Sequence, residues 1–378
     1  MSAMFSFHSH SGQFCMHATG TLEQVVQSAI QRHFTTYGLS EHMPRYKPEQ
    51  LYPEEAHLTV ADLEKMYDDF LQEAHRLQRQ YASQICLLIG LETEYFDAQS
   101  IPLVQRLRQT RRVPAAAVAI TTTTTTTISS GKEGSNNNSF DVVPLPQVQY
   151  IVGSLHHVHN IPLDFSQELY LKALDVVGQG SWETLFREYF NTQFEMLQGL
   201  EPEVVGHLDL VRIFFGAIKG HQHGHGHAHV HEQEQEHGNE IIGNRLTEEL
   251  WTLVKRNVDF VIAYGGLFEL NSRAWKKGLA DAYPQRDILE YILSRNGRIT
   301  LSDDSHGPND VGMFYNPELK QYLQQMNVTE VYYLAPNGHG RDHTLDARYA
   351  THASAATGSF QHVHVRSIPL ASLRFFEK

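Results

Sequence analysis

The 378-residue sequence predicts an α/β chain folded as a seven-stranded parallel barrel, closed or nearly closed. Short apolar or β-branched runs alternate with longer amphipathic stretches, the rhythm of parallel strands joined by right-handed crossover helices. Just past the C-terminal end of each run stands a polar group, usually one that can bind a metal. A doubly wound open sheet is the competing architecture, and no Gly-rich phosphate loop supports it.

The strand-like runs are Met4–His8, Thr35–Ser40, Cys86–Leu91, Tyr150–Ser154, Val204–Gly206, Leu267–Leu270 and Arg298–Ser302. Leu22–His33 and Ala61–Tyr81 carry apolar residues at three- and four-residue spacing and read as helices. Trp182–Leu197, Thr247–Val261, Gln285–Arg295 and Pro317–Met326 do so less cleanly. Thr21 and Ser181 stand where helix caps belong. Val363–Leu370 reads as an additional strand, and the stretch from Pro336 carries no motif.

Two segments, at about 110–146 and 219–240, read as insertions into a single domain spanning 1–378. The first holds TTTTTTTISSGKEGSNNNS and lacks an apolar face to bury, so a disordered surface loop is expected. The second holds seven histidines in a Gly/Gln/Glu background and reads as a solvated low-complexity loop.

Composition narrows the function. Apolar residues at 41% allow a large core. A formal charge of −13 repels phosphate backbones, so no nucleic-acid partner is expected. Two cysteines, Cys15 and Cys86, do not make a disulfide framework. The opening MSAMFSFHSHSG has no basic start and apolar run of a signal peptide, and no run approaches the roughly 18 apolar residues of a membrane span. A cytoplasmic location is the expectation; oligomeric state is unreadable.

The chemistry lies at the strand ends. In chain order these carry His8-Ser-His10 and Cys15-Met-His17, Glu41-His42, Glu92-Thr-Glu94, His156-His157, His207-Leu-Asp209, Glu269-Leu-Asn271, and Asp303-Asp304-Ser-His306. The ends of parallel barrel strands form one rim, where barrel active sites sit. His8 and His10, two apart, share a strand face, and Asp304 and His306 have the same offset. Any one of these groups alone reads as a core or surface residue. Their recurrence after every strand points to a metal site, which needs several convergent imidazoles or carboxylates.

Taken together, His8-Ser-His10 with Cys15-x-His17-Ala-Thr-Gly20, Ser40-Glu41-His42, Gly90-Leu-Glu92, Gly153-Ser-Leu-His156, Gly206-His207-Leu-Asp209-Leu and Asp304-Ser-His306 resemble, in order, the motifs of the polymerase-and-histidinol-phosphatase (PHP) family, in its histidinol-phosphatase branch. The resemblance spans about residues 5 to 335 apart from the two insertions. It implies a distorted (β/α)7 TIM-like barrel with a trinuclear divalent metal centre held by His8, His10, His17, His42, Glu92, His156, His207, Asp304 and His306. Glu92 is expected to bridge two ions, and Glu92, Asp304 and His306 to be the catalytic set. Glu41 departs from the family, which commonly has Asp there, and His157 beside His156 leaves an off-by-one assignment open.

The implied reaction is hydrolysis of L-histidinol phosphate to L-histidinol and phosphate in histidine biosynthesis, by direct attack of an activated water. Seven histidines among nine ligands favour zinc, iron or manganese over magnesium. Arg45, Arg212 and Arg273 are the candidate phosphate binders, Arg being suited to bidentate phosphate contact. Asp209 and Asn271 read as orienters of metal-bound imidazoles. His157, His159 and Asp303 are unranked candidates for the leaving-group acid. Two other functions compete: a related phosphoesterase acting on nucleotides or short oligonucleotides, and a non-catalytic metal buffer built on the His-rich segment.

Overall fold

The computed structural model describes residues 4–109, 148–216, 246–336 and 363–375 in full, and the backbone of 112–114 and 142–144. In chain order the strands are β1 (Phe5–Ser6), β2 (Ser9–His10), β3 (Thr36–Leu39), β4 (Cys86–Glu92), β5 (Arg112–Pro114), β6 (Val142–Pro144), β7 (Tyr150–Gly153), β8 (His157–Val158), β9 (Ile161–Pro162), β10 (Val204–Val205), β11 (Leu267–Asn271), β12 (Arg298–Ser302), β13 (Ser305–His306), β14 (Glu330–Pro336) and β15 (Val363–Pro369).

Seven of them form one parallel sheet in the order β1-β3-β4-β7-β10-β11-β12. The ring closes at its C-terminal rim, where β13 pairs in parallel with β2, Ser305 facing Ser9 and His306 facing His10. Below that seam Ser6 Oγ donates to Asp303 Oδ1 at 2.5 Å. The expected barrel is therefore present, nearly closed, and its closing seam is made of candidate ligands.

The crossover helices bury their apolar stripes on this sheet. Leu22–Gln31 buries Leu22, Val25, Val26 and Ala29 behind a Thr21 capping box completed by Gln24. Val60–Gln80 buries Leu63, Tyr67, Phe70, Leu71, Ala74 and Leu77. Ser181 caps Trp182–Leu200 through the Thr184 amide, and Thr247 caps Glu248–Tyr264 through that of Leu250. Ser100–Arg108 and Gln167–Val176 are helices that periodicity alone does not announce. At the C-terminus the Val363–Pro369 strand does form, antiparallel to β14, and Tyr333 of that hairpin stacks on Phe5 with ring centroids 5.3 Å apart.

Across the first insertion, β5 pairs antiparallel with β6, so its ends are a hairpin rather than continuous loop. The Thr-rich tract between them and the whole of 219–240 lie outside the described residues.

One aromatic ring sets the floor of the site. Tyr150 at the start of β7 lies over Gly38 of β3 and Gly90 of β4, and its hydroxyl donates to the Phe7 carbonyl at 2.8 Å. A methyl group at Gly90 falls 2.4 Å from Tyr150 Cζ, and one at Gly38 falls 2.1 Å from its hydroxyl oxygen. Both glycines are there for space, since a buried phenol ring anchored by a hydrogen bond cannot yield. Gly90→Ala is expected to destabilise the fold by roughly 1–3 kcal/mol through overpacking. A denaturation midpoint equal to that of the wild type contradicts this packing.

Candidate metal centre

Glu92, the last residue of β4, stands at the centre of the rim. Its Oε1 lies 2.9 Å from His8 Nε2, 3.1 Å from His207 Nε2 and 3.3 Å from His156 Nε2. Its Oε2 lies 3.0 Å from His42 Nδ1 and 3.2 Å from His10 Nε2. The two oxygens thus face two different sets of imidazoles. Each ring comes from a different point of the rim. The two-residue offset of His8 and His10 puts both inside the barrel, centroids 5.2 Å apart, and His42 is bridged backbone to backbone with Glu92 just beyond β3.

Asp304 sits at φ +44°, a left-handed conformation that Asp tolerates better than most residues. That turn between β12 and β13 brings Asp304 Oδ1 to 3.6 Å from His8 Nε2, 3.8 Å from His10 Nε2 and 3.5 Å from His306 Nδ1. Overlapping groups of residues have ligand atoms within 4.8 Å of one another, among them His8, His10, Glu92; His8, His207, Asp304; His10, Asp304, His306; His42, Glu94, His156; and Cys15, His17, His42, His306. All nine ligand positions expected from the sequence are in this one constellation.

The donor set fits divalent cations. His8 Nε2, both nitrogens of His10 and His42, Glu92 Oε2, Glu94 Oε1 and Asp304 Oδ1 are buried and make no hydrogen bond. With the rings neutral, as metal ligation requires, their close approaches are lone pair to lone pair. A buried polar atom left unpaired costs about 1–3 kcal/mol, and several together rival the roughly 5–15 kcal/mol that stabilises a whole domain. Such a cluster is explained by cations that accept every lone pair at once.

Electrostatics agree. Burial opposes the charged form of His8, but Asp304, Glu92 and Glu269 hold its pKa well above the ordinary imidazole value. Burial is likewise outweighed at His42 and His156, where Glu94 and Glu92 raise the pKa. Glu92 is held well below the usual carboxylate range by His8, His156 and His42 against its burial, and Glu94 by His156, His42 and Arg45.

A second layer fixes the rings. Glu269 Oε1 sits 2.7 Å from His8 Nδ1, and its Oε2 accepts from the His207 amide at 2.7 Å. Asn271 Nδ2 donates to Glu269 Oε2 and to Asp304 Oδ2, each at 3.0 Å. Glu41 accepts from the Ser11 amide and hydroxyl and faces His10 Nδ1 at 3.5 Å, so a glutamate at this position reaches the ring. His17 Nδ1 lies 2.8 Å from Glu54.

Several expectations need correction. Arg212 is buried and committed: Nε binds Asp209, and Nη2 donates to the carbonyls of Asp281 and Ala282. Arg45 pairs with Glu55 at 2.5 Å and donates to the Met43 carbonyl. Neither lines the cavity of about 330 Å³ that opens onto the ligands; Arg273 does, and so does Lys277. Asp209 holds Arg212 and the Gln285 amide rather than an imidazole; Glu269 does the orienting. Asn271 acts on carboxylates. The three leaving-group candidates are also outside that cavity lining. Asp303 is consumed by Ser6, Tyr37 and the Gly312 amide, and His159 is largely exposed near Glu188. His157 is buried, its pKa lowered to about 3 chiefly by burial, while its neighbour His156 is the one that faces Glu92.

Sequence reasoning noted Glu94 and Glu269 at the strand ends without giving them a role, and passed over Lys277. The first had a readable signal: it is two residues past Glu92, the same offset that pairs His8 with His10.

Residues 6–273 match the family model described as PHP domain. The chain is 38% identical over 337 residues to a probable histidinol-phosphatase of Schizosaccharomyces pombe, covering 89% of this chain and 91% of that protein. It is 29% identical over 342 residues to the histidinol-phosphatase of Saccharomyces cerevisiae, covering 88% and 91%. Among solved structures it resembles the histidinol phosphate phosphatase of Lactococcus lactis in complex with zinc, L-histidinol and phosphate. That match has a TM-score of 0.51 at 15% identity and covers 87% of this chain and 95% of that one.

Because His8, His42 and His156 have raised pKa values, the ion-free protein carries protons on them at pH 7, above the ordinary imidazole midpoint. Ligation requires the neutral ring, so metal uptake is expected to release protons and to tighten as pH rises through neutrality. Calorimetry in buffers of different ionisation enthalpy measures this; binding at pH 7 with no proton release contradicts it.

Proposed function

The chain belongs to the PHP domain family, and from that premise we propose that it is a metal-dependent phosphomonoester hydrolase converting L-histidinol phosphate and water to L-histidinol and phosphate in histidine biosynthesis. The observation that carries this reading is the ligand ring around Glu92 opening onto a cavity that also presents Arg273 and Lys277. The activity named for the two yeast relatives supports the choice of substrate. The reading is of one barrel domain across 1–378 working in the cytoplasm. Among the described residues no helix is long and apolar enough to cross a membrane.

His8, His10, His17, His42, Glu92, His156, His207, Asp304 and His306 would hold three divalent ions of zinc, iron or manganese, with Glu92 shared between two. Such ions supply charge neutralisation at the phosphoryl oxygens and lower the pKa of coordinated water toward neutrality. The remaining work falls to the protein. Asp304 has its carboxylate held near pKa 2: burial opposes this, but His8 and Arg273 outweigh it, and the group stays ionised beside the substrate. His306, its pKa lowered by burial and by the neighbouring His10 and Arg273, stays a neutral imidazole on the same wall. Arg273 is braced by its bonds to the Asp304 carbonyl at 3.1 Å and Asp310 Oδ2 at 3.2 Å. It is thereby pre-oriented toward a phosphate in the cavity, with Lys277 as a second positive charge.

The test is turnover of purified protein on L-histidinol phosphate, a nucleoside monophosphate and single-stranded DNA, before and after chelation and after reloading with zinc or manganese. The expected result is preference for L-histidinol phosphate, loss of activity by two orders of magnitude or more on chelation, and recovery on reloading. Full activity in metal-free protein overturns the reading. Arg273→Ala is expected to raise KM for the phosphorylated substrate by about 10–100-fold, the equivalent of one charge-assisted hydrogen bond. An unchanged KM removes Arg273 from the phosphate site.

A further inference from the structure

We infer that Asp164 is the specificity-determining acceptor for a protonated nitrogen on the substrate, so that the cavity selects phosphomonoesters carrying a cationic tail. The inference rests on the phosphatase reading and deepens it.

Asp164 is placed by a tight turn. His159 and Asn160, at φ +49° and +61°, link β8 to β9, as a two-residue hairpin with both central residues in the left-handed region requires. The chain then runs through buried Leu163, whose amide donates to the His156 carbonyl at 2.8 Å. Asp164 follows at the cavity wall, before Ser166 caps the helix Gln167–Val176. Its position is thus tied to the ligand His156 through a short, hydrogen-bonded segment.

Its chemistry is unspent. Asp164 Oδ1 is buried and makes no hydrogen bond among the described residues. The aromatic hydroxyls nearby, on Tyr52 and Tyr283, feel it as a negative charge that raises their pKa values further beyond what burial does. An uncompensated carboxylate oxygen turned out of water is costly unless a donor arrives, and the cavity is where one can arrive.

The rest of the wall fits the same occupant. Phe165 is 37% exposed, unusual for a large apolar ring, and stacks on Tyr52 with centroids 5.7 Å apart and planes 21° apart. That offers a flat apolar surface beside the carboxylate. Arg273 and Lys277, on the segment after β11, supply positive charge to the same cavity. A ligand with phosphate at one end and a cationic nitrogen near a planar group at the other satisfies all of these at once. A neutral-tailed phosphate leaves Asp164 Oδ1 unpaired, and that penalty is the source of selectivity.

The test compares kcat and KM of the metal-loaded wild type and Asp164→Asn on L-histidinol phosphate, on its des-amino analogue and on p-nitrophenyl phosphate. The expected result is a tenfold or greater fall in kcat/KM on L-histidinol phosphate, carried mainly by KM, with a loss on p-nitrophenyl phosphate at least fivefold smaller. The des-amino analogue keeps the imidazole. If its loss follows p-nitrophenyl phosphate the nitrogen read is the ammonium; if it follows L-histidinol phosphate the nitrogen is on the imidazole. Equal losses on all three substrates, or none on any, overturn the assignment of Asp164 while leaving the phosphatase reading intact. Wild type that hydrolyses none of the three overturns the phosphatase reading itself. Should Asp164→Asn fail to fold, Asp164→Ser and the wild-type selectivity ratio carry the same comparison: a wild type that prefers p-nitrophenyl phosphate also overturns the inference.

Discussion

Everything at the rim is organised around one carboxylate. Glu92 is buried, its two oxygens lie within 3.3 Å of five imidazole nitrogens, and Oε2 makes no hydrogen bond. A carboxylate taken out of water to this degree is tolerable only with compensating positive charge. Protons on the rings are one source and divalent cations the other. The proposed chemistry uses the second, and it needs the rings neutral, because only neutral imidazoles leave lone pairs for an ion. The two oxygens face different sets of rings, and this geometry is what motivates the proposal that one side chain is shared between ions.

The barrel makes that geometry possible by bringing residues from distant parts of the chain to one ring. Glu92 arrives on β4, His8 between β1 and β2, His10 on β2, His207 just after β10, and Asp304 on the turn into β13. The floor beneath them is set by Tyr150, fitted into the space of Gly38 and Gly90 and bonded to the Phe7 carbonyl next to His8. The seam is set by β13 on β2, which registers His306 against His10. Glu269 then locks the His8 ring from β11, and Asn271 braces the carboxylates of Glu269 and Asp304. Packing, closure and ligand geometry are therefore one problem solved by one set of strands.

Much of this was legible from residues alone. The alternation of strand-like and helix-like runs gave the barrel, and polar groups past each run located the rim, because strand direction in a parallel sheet puts every C-terminal end on one side. What could not be read was the partner of each charge. Arg212 and Arg273 both follow a strand end closely, yet Arg212 turns inward to Asp209 while Arg273 faces the cavity. Sequence distance bounds reach but not direction. Glu269 was hidden for a similar reason: inside an apolar strand its role appears only when His8, 261 positions away, is seen against it. Asp164 follows a hairpin, residues 157–162, too short for periodicity to detect.

The central claim, that Glu92 is shared between ions of a multinuclear centre, is tested most directly by counting metal per chain. Elemental analysis of wild type and Glu92→Ala, purified alike and shown by circular dichroism to be folded, gives the answer. The account predicts three ions per chain in the wild type and at most one in the variant, since loss of a bridge releases both ions it joins. A variant that retains the wild-type metal content contradicts it.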